Sequence, residues 1–308
     1  MLTSPPYYSL RDYQVEGQLG LEPTFQEYLW KLCTIFDEVK RVLKPKGTCW
    51  VNLADCYASK TGAKNHGFNK RCHGKQYRND KQALADSTRP VRPVSSVPQK
   101  SLSLIPFRFA IEMVQRSWTL RNVIIWQKPN CLPSSARDRF TVDFEYLFFF
   151  TKSWRYYFDP QREPHHLVTQ RRVEAFRRRG ERFDPVRHKC NKMSQSPFRV
   201  LENIATRGLN PLGRNKRCVW TISTQAFRGP HYATFPEKLC ETPIRAGCPV
   251  GGVVLDPFFG AGTTGLVALR LDRRFIGIEL NPEYVEIAKV RIAGALKSDD
   301  YRKHPTIR

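Results

Sequence analysis

The chain has 308 residues, of which 41% are hydrophobic and 12% aromatic, and its formal net charge at pH 7 is +23. This length accommodates one large domain, alone or with a smaller insertion, and supplies a sizeable core. The positive charge makes nucleic acid the leading predicted partner, with an acidic membrane surface as the alternative. No apolar run reaches the length of about 18 residues that spans a bilayer, and no signal-peptide pattern is visible. We therefore expect a cytoplasmic protein.

Apolar periodicity predicts a helix at 24–43, with Thr24 as the N-cap and Glu27 completing a capping box, and Pro45 beyond its end. Residues 57–100 are polar and basic, which predicts a long mobile loop that orders on a polyanion. The other elements predicted in this half are a strand at 49–53, a helix at 105–118, and strands at 122–127 and 144–151.

Lysine and arginine far outnumber aspartate and glutamate between residues 152 and 218, which form a second basic region. After it, strands and helices alternate again. The predicted elements are strands at 219–222, 253–255 and 275–278, and helices at 237–246, 263–271 and 282–296. This alternation predicts an α/β fold with a doubly wound, mostly parallel sheet.

A glycine-rich turn follows the strand at 253–255. Asp256 ends that strand, and Gly260 and Gly262 lead into a helix, where glycine lets the backbone approach a ligand closely. Glu279 ends the next strand, and a carboxylate at that position suits ribose hydroxyls. This combination favours a cofactor that contains a nucleoside, whereas the alternative is an ordinary tight turn with Asp256 as a helix cap. Dinucleotide and phosphate-loop spacings are absent, so pyrophosphate binding is not favoured.

Ser4-Pro5-Pro6-Tyr7 forms a rigid polar and aromatic segment near the start of the chain. The prolines fix the backbone and remove donors. The Ser4 hydroxyl and the Pro5 carbonyl can accept hydrogen bonds from an NH2 group on a planar ring, while Tyr7 stacks on the ring. Considered alone, the segment is more typical of a proline-rich turn at a frayed terminus than of a binding site.

Six segments in the same order resemble the β class of amino-DNA methyltransferases, in which the catalytic motif precedes the cofactor motif. They are residues 3–7, 44–50, 125–130, 231–236, 256–264 and 275–279. The resemblance covers nearly the whole chain apart from 57–100 and 160–218. It implies a Rossmann-like methyltransferase fold that uses S-adenosylmethionine.

The resemblance also implies roles for individual residues. Ser4, Pro5, Pro6 and Tyr7 would hold a target base flipped out of double-stranded DNA, and Phe235 would pack on the cofactor adenine. Serine at the first motif position usually accompanies transfer to N4 of cytosine, whereas aspartate or asparagine usually accompanies transfer to N6 of adenine. The implied cofactor-binding residues are Phe235, Asp256, Phe258, Gly260, Gly262, Thr263, Thr264 and Glu279.

The same resemblance divides the chain into three parts. Residues 1–159 would be the catalytic half, 160–218 the target-recognition region and 219–308 the cofactor-binding half. A restriction-modification system is implied, with a cognate restriction endonuclease as a partner, and both a monomer and a homodimer remain open. The arginines expected to contact phosphates or base edges are Arg171, Arg172, Arg177, Arg178 and Arg179.

Other functions compete with this one. The same fold could act on adenine, on RNA or on a side-chain amide, and a DNA-binding protein with little turnover is a further alternative. Only Met1 and Leu2 precede Thr3, so we expect either a shortened active-site strand or a natural start farther upstream. No cysteine pair has CxxC spacing among the nine cysteines, which argues against a disulfide framework.

No metal site is expected. Cys72-His73 and His188 with Cys190 lack the paired short spacing of zinc ligands. The pair His165-His166 is not expected to be a general base, since an amine need not lose its proton before attack. Cys131 follows an asparagine, so the Pro-Cys pairing of carbon-5 cytosine methylation is absent.

Overall fold

The structure, a computed structural model, describes four ranges of the chain. They are residues 1–58, 97–180, 197–225 and 235–297. The chain divides into a larger unit, Met1–Asp159 with Cys218–Arg308, and a smaller unit, Pro160–Arg217. Most of the predicted basic loop at 57–100 lies outside the described ranges. Within those ranges, no helix is both long and apolar enough to cross a membrane.

The described chain contains nine strands and seven helices, which are numbered here in chain order. The strands are β1 (Leu2–Thr3), β2 (Thr48–Leu53), β3 (Thr119–Gln127), β4 (Phe144–Thr151), β5 (Arg162–Glu163), β6 (Arg214–Asn215), β7 (Val219–Thr221), β8 (Val253–Asp256) and β9 (Arg274–Gly277). The helices are α1 (Phe25–Val42), α2 (Ile105–Gln115), α3 (Leu167–Arg179), α4 (Pro197–Arg207), α5 (Glu237–Gly247), α6 (Thr263–Arg270) and α7 (Pro282–Lys297).

The larger unit contains a five-stranded sheet in the order β1-β2-β4-β3-β7 and a separate parallel pair, β8 and β9. Strand β1 is parallel to β2, and β7 is parallel to β3. Strand β4 runs antiparallel to both of its neighbours, so the sheet is mixed. The direction of β4 is the feature that the alternation of elements did not predict, because β3 and β4 follow each other without an intervening helix.

One face of the large sheet packs against α1 and α2. Val51, Phe148 and Phe150 lie in the same buried cluster as Phe36 of α1 and Phe109 of α2. The rings of Phe109 and Phe150 meet edge to face, with centroids 6.0 Å apart. This cluster is one half of the hydrophobic core.

The opposite face packs against α5 and α6. Trp50 of β2 and Phe149 of β4 cluster there with Leu239 and Val267 of the helices. The Trp50 and Phe149 rings stack with centroids 4.0 Å apart. Helices therefore cover both faces, which explains why β4 is apolar along most of its length instead of alternating. The predicted doubly wound α/β fold is confirmed.

Helix α1 shows how closely the sequence pattern matches the local structure. The Thr24 hydroxyl accepts a hydrogen bond from the Glu27 N–H at 3.2 Å, as expected of an N-cap. The helix ends at Val42, and the Leu43 N–H caps it by donating to the Val39 carbonyl. The predicted helix at 24–43 is therefore confirmed.

The smaller unit contains α3, α4 and the antiparallel pair β5 and β6. No helix was predicted in this basic region, yet two form. The His166 side chain caps α3 by accepting from the Val168 N–H, and Arg177 Nε donates to the Ala205 carbonyl at 2.7 Å. That hydrogen bond connects α3 with α4.

Candidate active site

The glycine-rich turn and Glu279 meet at one edge of the β8–β9 pair. Parallel pairing sets Asp256 opposite Gly277, so the segments that follow the two strands leave the sheet side by side. Glu279 Oε2 accepts from the Gly260 N–H at 2.6 Å, and Oε1 accepts from the Asn281 N–H at 2.9 Å. The carboxylate thus fixes the turn after β8 to the turn after β9.

Gly262 allows this turn to enter helix α6. It has a φ of +77°, in the left-handed region that favours glycine. A Cβ atom at this position would lie 3.0 Å from Ala288 Cβ, so α7 also approaches the turn closely. Gly262 and Thr264 lie where the turn enters α6, and Thr264 is buried.

Asp256 connects the predicted cofactor half to the predicted catalytic segment. Thr3 Oγ1 donates to Asp256 Oδ1 at 2.5 Å, and the Phe258 N–H donates to the same oxygen at 3.1 Å. Strand β1, which contains Thr3, is therefore bonded on one side to β2 and on the other to the end of β8. Asp256 is 1% exposed, and burial raises its pKa to about 6.

The raised pKa of Asp256 predicts an inverse pH dependence of stability. The folded state binds the proton more tightly than the unfolded state, so the carboxyl group favours folding most below about pH 4, and this contribution falls as pH rises to about 6. The decrease in the free energy of unfolding across this range is on the order of 3 kcal/mol. Asp256→Asn cannot titrate, so the free energy of unfolding of the wild type, minus that of the variant, should decrease across this window in denaturant titrations. Parallel pH profiles would contradict the assignment.

A cavity of about 320 Å³ opens between the catalytic segment and the glycine-rich turn. Seven of the twelve predicted catalytic and cofactor-binding residues line it: Ser4, Pro6, Phe235, Phe258, Gly260, Thr263 and Glu279. Five do not line it: Pro5, Tyr7, Asp256, Gly262 and Thr264. The structure therefore brings part of the predicted catalytic motif and most of the predicted cofactor residues to one cavity. Asp256 lies beneath it and supports the turn.

Two further segments complete the cavity wall, and the sequence analysis missed both. Tyr13 and Gln18 belong to the segment that follows the catalytic motif, and the Tyr13 N–H donates to Gln18 Oε1 at 2.7 Å. Asn281 and Tyr284 come from the start of α7, and the Tyr284 ring meets the Tyr13 ring edge to face at 6.2 Å. No periodicity or short motif distinguishes these residues, because their neighbours are brought together only by the fold.

The Tyr7 hydroxyl is held by a polar cluster between strands β2 and β4. It donates to Glu145 Oε2 at 2.7 Å, and Asn52 Nδ2 donates to both the Tyr7 and Glu145 oxygens at 2.6 Å. Lys128 forms an ion pair with the other Glu145 oxygen, and Ser4 Oγ lies 3.5 Å from the Tyr7 hydroxyl. Burial, and then the Glu145 charge, raise the pKa of Tyr7 well above its usual value, so it remains a neutral phenol.

Asn52, Lys128 and Glu145 are functional candidates that the sequence analysis did not select. A signal was present, because Asn52 interrupts an otherwise apolar strand and Glu145 stands near the start of another. Buried polar groups need hydrogen-bond partners, so each of these three residues could have been expected to contact another polar group. The cluster fixes the position of Tyr7 relative to Ser4.

The five predicted DNA-binding arginines all lie on α3 of the smaller unit and are exposed. Arg177 contacts α4 as described, and Arg178 forms a loose ion pair with Glu174 at 3.8 Å. His165 Nε2 lies 2.9 Å from the Asn210 carbonyl, and its neighbour His166 caps α3. In the described ranges, no group of three potential metal ligands is found. The pairs Cys72-His73 and His188 with Cys190, and residues 231–234, lie outside those ranges.

Comparison with known proteins gives one family. A family model described as DNA methylase, N6_N4_Mtase, matches residues 1–290. The chain is 39% identical over 294 residues to the Type II methyltransferase M.Cfr9I of Citrobacter freundii, covering 96% of this chain and 81% of that protein. It is 40% identical over 296 residues to the Type II methyltransferase M.XycI of Xanthomonas campestris pv. cyanopsidis, with the same coverage. The PvuII DNA methyltransferase (cytosine-N4-specific) shares the fold, with a TM-score of 0.53 and 21% identity over 98% of this chain and 84% of that one.

Proposed function

The chain belongs to the N6/N4 DNA methylase family, and on that basis we propose that it transfers a methyl group from S-adenosylmethionine to the N4 amino group of cytosine in duplex DNA. One observation supports this most strongly. Ser4 borders the same cavity as the glycine-rich turn and Glu279, so an amino group held by Ser4 would face a cofactor held by the turn. Methyl transfer requires this closeness.

The cavity suits a nucleoside cofactor. The Glu279 carboxylate lines it, and its two oxygens accept only one backbone hydrogen bond each in the described chain, which leaves acceptor capacity for two ribose hydroxyls. Phe235 and Phe258 supply apolar surface for an adenine ring. When bound, S-adenosylmethionine supplies an electrophilic methyl group on a sulfonium centre. A relative of the same fold from Thermus thermophilus, with a TM-score of 0.51 and 22% identity over 96% of this chain and 86% of that one, is known in complex with this molecule.

The Ser4–Tyr7 segment suits an exocyclic amine. The nitrogen lone pair of such an amine is delocalised into the ring, which makes it a weak nucleophile. Acceptors at the Ser4 hydroxyl and the Pro5 carbonyl would hold its hydrogens and turn the lone pair toward the methyl group. The neutral Tyr7 phenol, fixed by Glu145, would stack against the base. Orientation of this kind can contribute several kcal/mol.

Serine at the first motif position favours cytosine over adenine as the target. A base inside a duplex cannot reach a cavity that lies between two protein segments, so the target would be flipped out of the helix. The similarity to Type II methyltransferases favours a role in a restriction-modification system, in which a cognate endonuclease cuts the same site when it is unmodified. N6 methylation of adenine would use the same cavity and is an alternative outcome of the test below.

Binding to DNA should depend steeply on salt. The exposed arginines of α3 would contact phosphates, and each contact releases counterions. We expect the affinity for duplex DNA to fall at least about 100-fold between 50 and 200 mM salt. The double variant Arg171→Ala/Arg172→Ala should lower the slope of log affinity against log salt by about 2. Arg41→Ala, which removes an exposed arginine paired with Glu38 on α1, is the matched control. A salt-independent affinity would contradict the assignment.

The transfer itself can be tested with a labelled methyl donor. Purified protein is incubated with labelled S-adenosylmethionine and equal amounts of duplex DNA, structured RNA or total protein. The proposal predicts incorporation into duplex DNA above the other two acceptors. Incorporation into RNA or protein alone, or into none, would reject it.

A further inference from the structure

A long loop between β3 and β4, residues 128–143, leaves the sheet at the edge that holds the catalytic segment. The antiparallel pairing of these strands extends to Gln127 opposite Phe144, so the loop begins and ends there. Lys128, at its start, forms the ion pair with Glu145, and Glu145 accepts the Tyr7 hydrogen bond. Glu145, just after the loop, therefore contacts both Lys128 at the start of the loop and Tyr7, the predicted base-stacking residue.

The base of the loop is held in place by specific contacts. The Lys128 N–H donates to the Asp143 carbonyl at 2.7 Å, closing the two arms of the loop. The Asn130 side chain donates to the Thr224 carbonyl at 3.0 Å and accepts from the Thr224 N–H at 2.9 Å. These bonds fix the base of the loop to the backbone of Asp143 and Thr224.

The outer part of the loop contacts neighbouring segments and carries two arginines. The Arg139 guanidinium lies 3.5 Å above the Tyr57 ring, and Lys100 pairs with Asp138 at 2.6 Å. Arg137 and Arg139 are both exposed. Two cations and a stacking contact stand where a polyanion could reach them.

Phe140 follows Arg139 directly and is 96% exposed. Single exposed apolar residues are common on protein surfaces, so exposure by itself indicates little. Here the ring directly follows the exposed Arg139, on a loop whose base contacts Tyr7 through Lys128 and Glu145, in a chain with a net charge of +23. Charge complementarity selects nucleic acid as the occupant of this surface, and a base stack is the apolar part of that partner.

We propose that Phe140 inserts into the base stack of duplex DNA beside the target base and stabilises the helix from which that base has left. Arg137 and Arg139 would contact the adjoining phosphates. Apolar side chains that wedge between base steps offset the cost of unstacking, and an aromatic ring does so for any sequence. This inference rests on the proposed function, since only an enzyme that extracts a base needs the gap to be filled.

The test compares Phe140→Ala with Trp154→Ala. Trp154 is also largely exposed, but it follows the opposite end of β4, about 25 Å along the strand. Each variant is assayed for kcat/KM of methyl transfer on two duplexes that contain the methylated sequence. One is fully paired, and the other has a mismatch at the target base, which lowers the cost of flipping.

Phe140→Ala should lower kcat/KM about 10- to 100-fold on the paired duplex and much less on the mismatched duplex, whereas Trp154→Ala should change neither. With 2-aminopurine at the target position, the fluorescence increase on binding should be smaller for Phe140→Ala than for the wild type. An equal loss on both duplexes, or no loss, would overturn the role of Phe140. If the wild type methylates neither duplex, the proposed function is rejected, and the role of Phe140 is rejected with it. Thermal melting of both variants verifies that they are folded.

Discussion

Ser4→Ala is expected to lower the single-turnover rate of methyl transfer about 100-fold while leaving the affinity for S-adenosylmethionine within about threefold. The substitution removes the hydroxyl that would hold the target amino group and leaves the glycine-rich turn and Glu279 in place. Without that acceptor the amine can rotate, and a displacement of about 1 Å costs a rate factor of this size. The rate is measured with labelled cofactor, and the affinity by calorimetry.

The stability of this variant is a necessary control, because Ser4 Oγ also lies 3.5 Å from the Tyr7 hydroxyl. At that distance the contact with Tyr7 is weak, so the melting temperature should change little. An unchanged rate would reject the role of Ser4. A loss of cofactor affinity equal to the loss of rate would show that the residue acts through the cavity wall instead.

Glu279→Ala should have the opposite signature, with cofactor affinity falling about 10- to 100-fold and the rate at saturating cofactor falling far less. The substitution removes the proposed ribose acceptor and also releases the Gly260 and Asn281 N–H groups, which then lack their partner. Both effects weaken the cofactor side of the cavity. The quantities to measure are the Kd for S-adenosylmethionine and the rate as a function of its concentration.

Glu283→Ala is the matched control for this experiment. Glu283 is exposed in the first turn of α7, only four residues from Glu279, and carries the same charge. Its removal should leave the Kd within about twofold. A Glu279→Ala variant with wild-type affinity would mean that the carboxylate only supports the turn, as its two backbone hydrogen bonds would allow.

The sequence was most informative where the structure depends on local pattern. Helix α1 and strand β4 follow from apolar spacing, and the helices after residue 235 follow from alternation with short strands. The antiparallel orientation of β4 departs from the predicted mostly parallel sheet, because β3 and β4 are joined by a loop and not by a crossover helix. Helix α3 was missed because its exposed, arginine-rich face obscures the apolar spacing. Helix α4 was missed although its sequence, PFRVLENIATR, carries helical apolar spacing.

The candidate site was likewise predictable only where it depends on local sequence pattern. The glycine-rich turn and Glu279 could be paired in advance, because parallel strands bring their ends together. The Tyr7–Glu145 contact joins residues 138 positions apart and depends on the order of strands in the sheet. The contact between Thr3 and Asp256 spans 253 positions and could not be inferred either, although it places the start of the Ser4–Tyr7 segment beside the glycine-rich turn.

Modified-base analysis of DNA from cells that express this chain shows whether it methylates cytosine at N4. The DNA is digested to nucleosides for mass spectrometry and sequenced by a method that detects methylated bases, with cells that express Ser4→Ala as the reference. We expect N4-methylcytosine at one defined sequence, at a much lower level in the Ser4→Ala cells. N6-methyladenine in its place, or no methylated base that depends on Ser4, would contradict it.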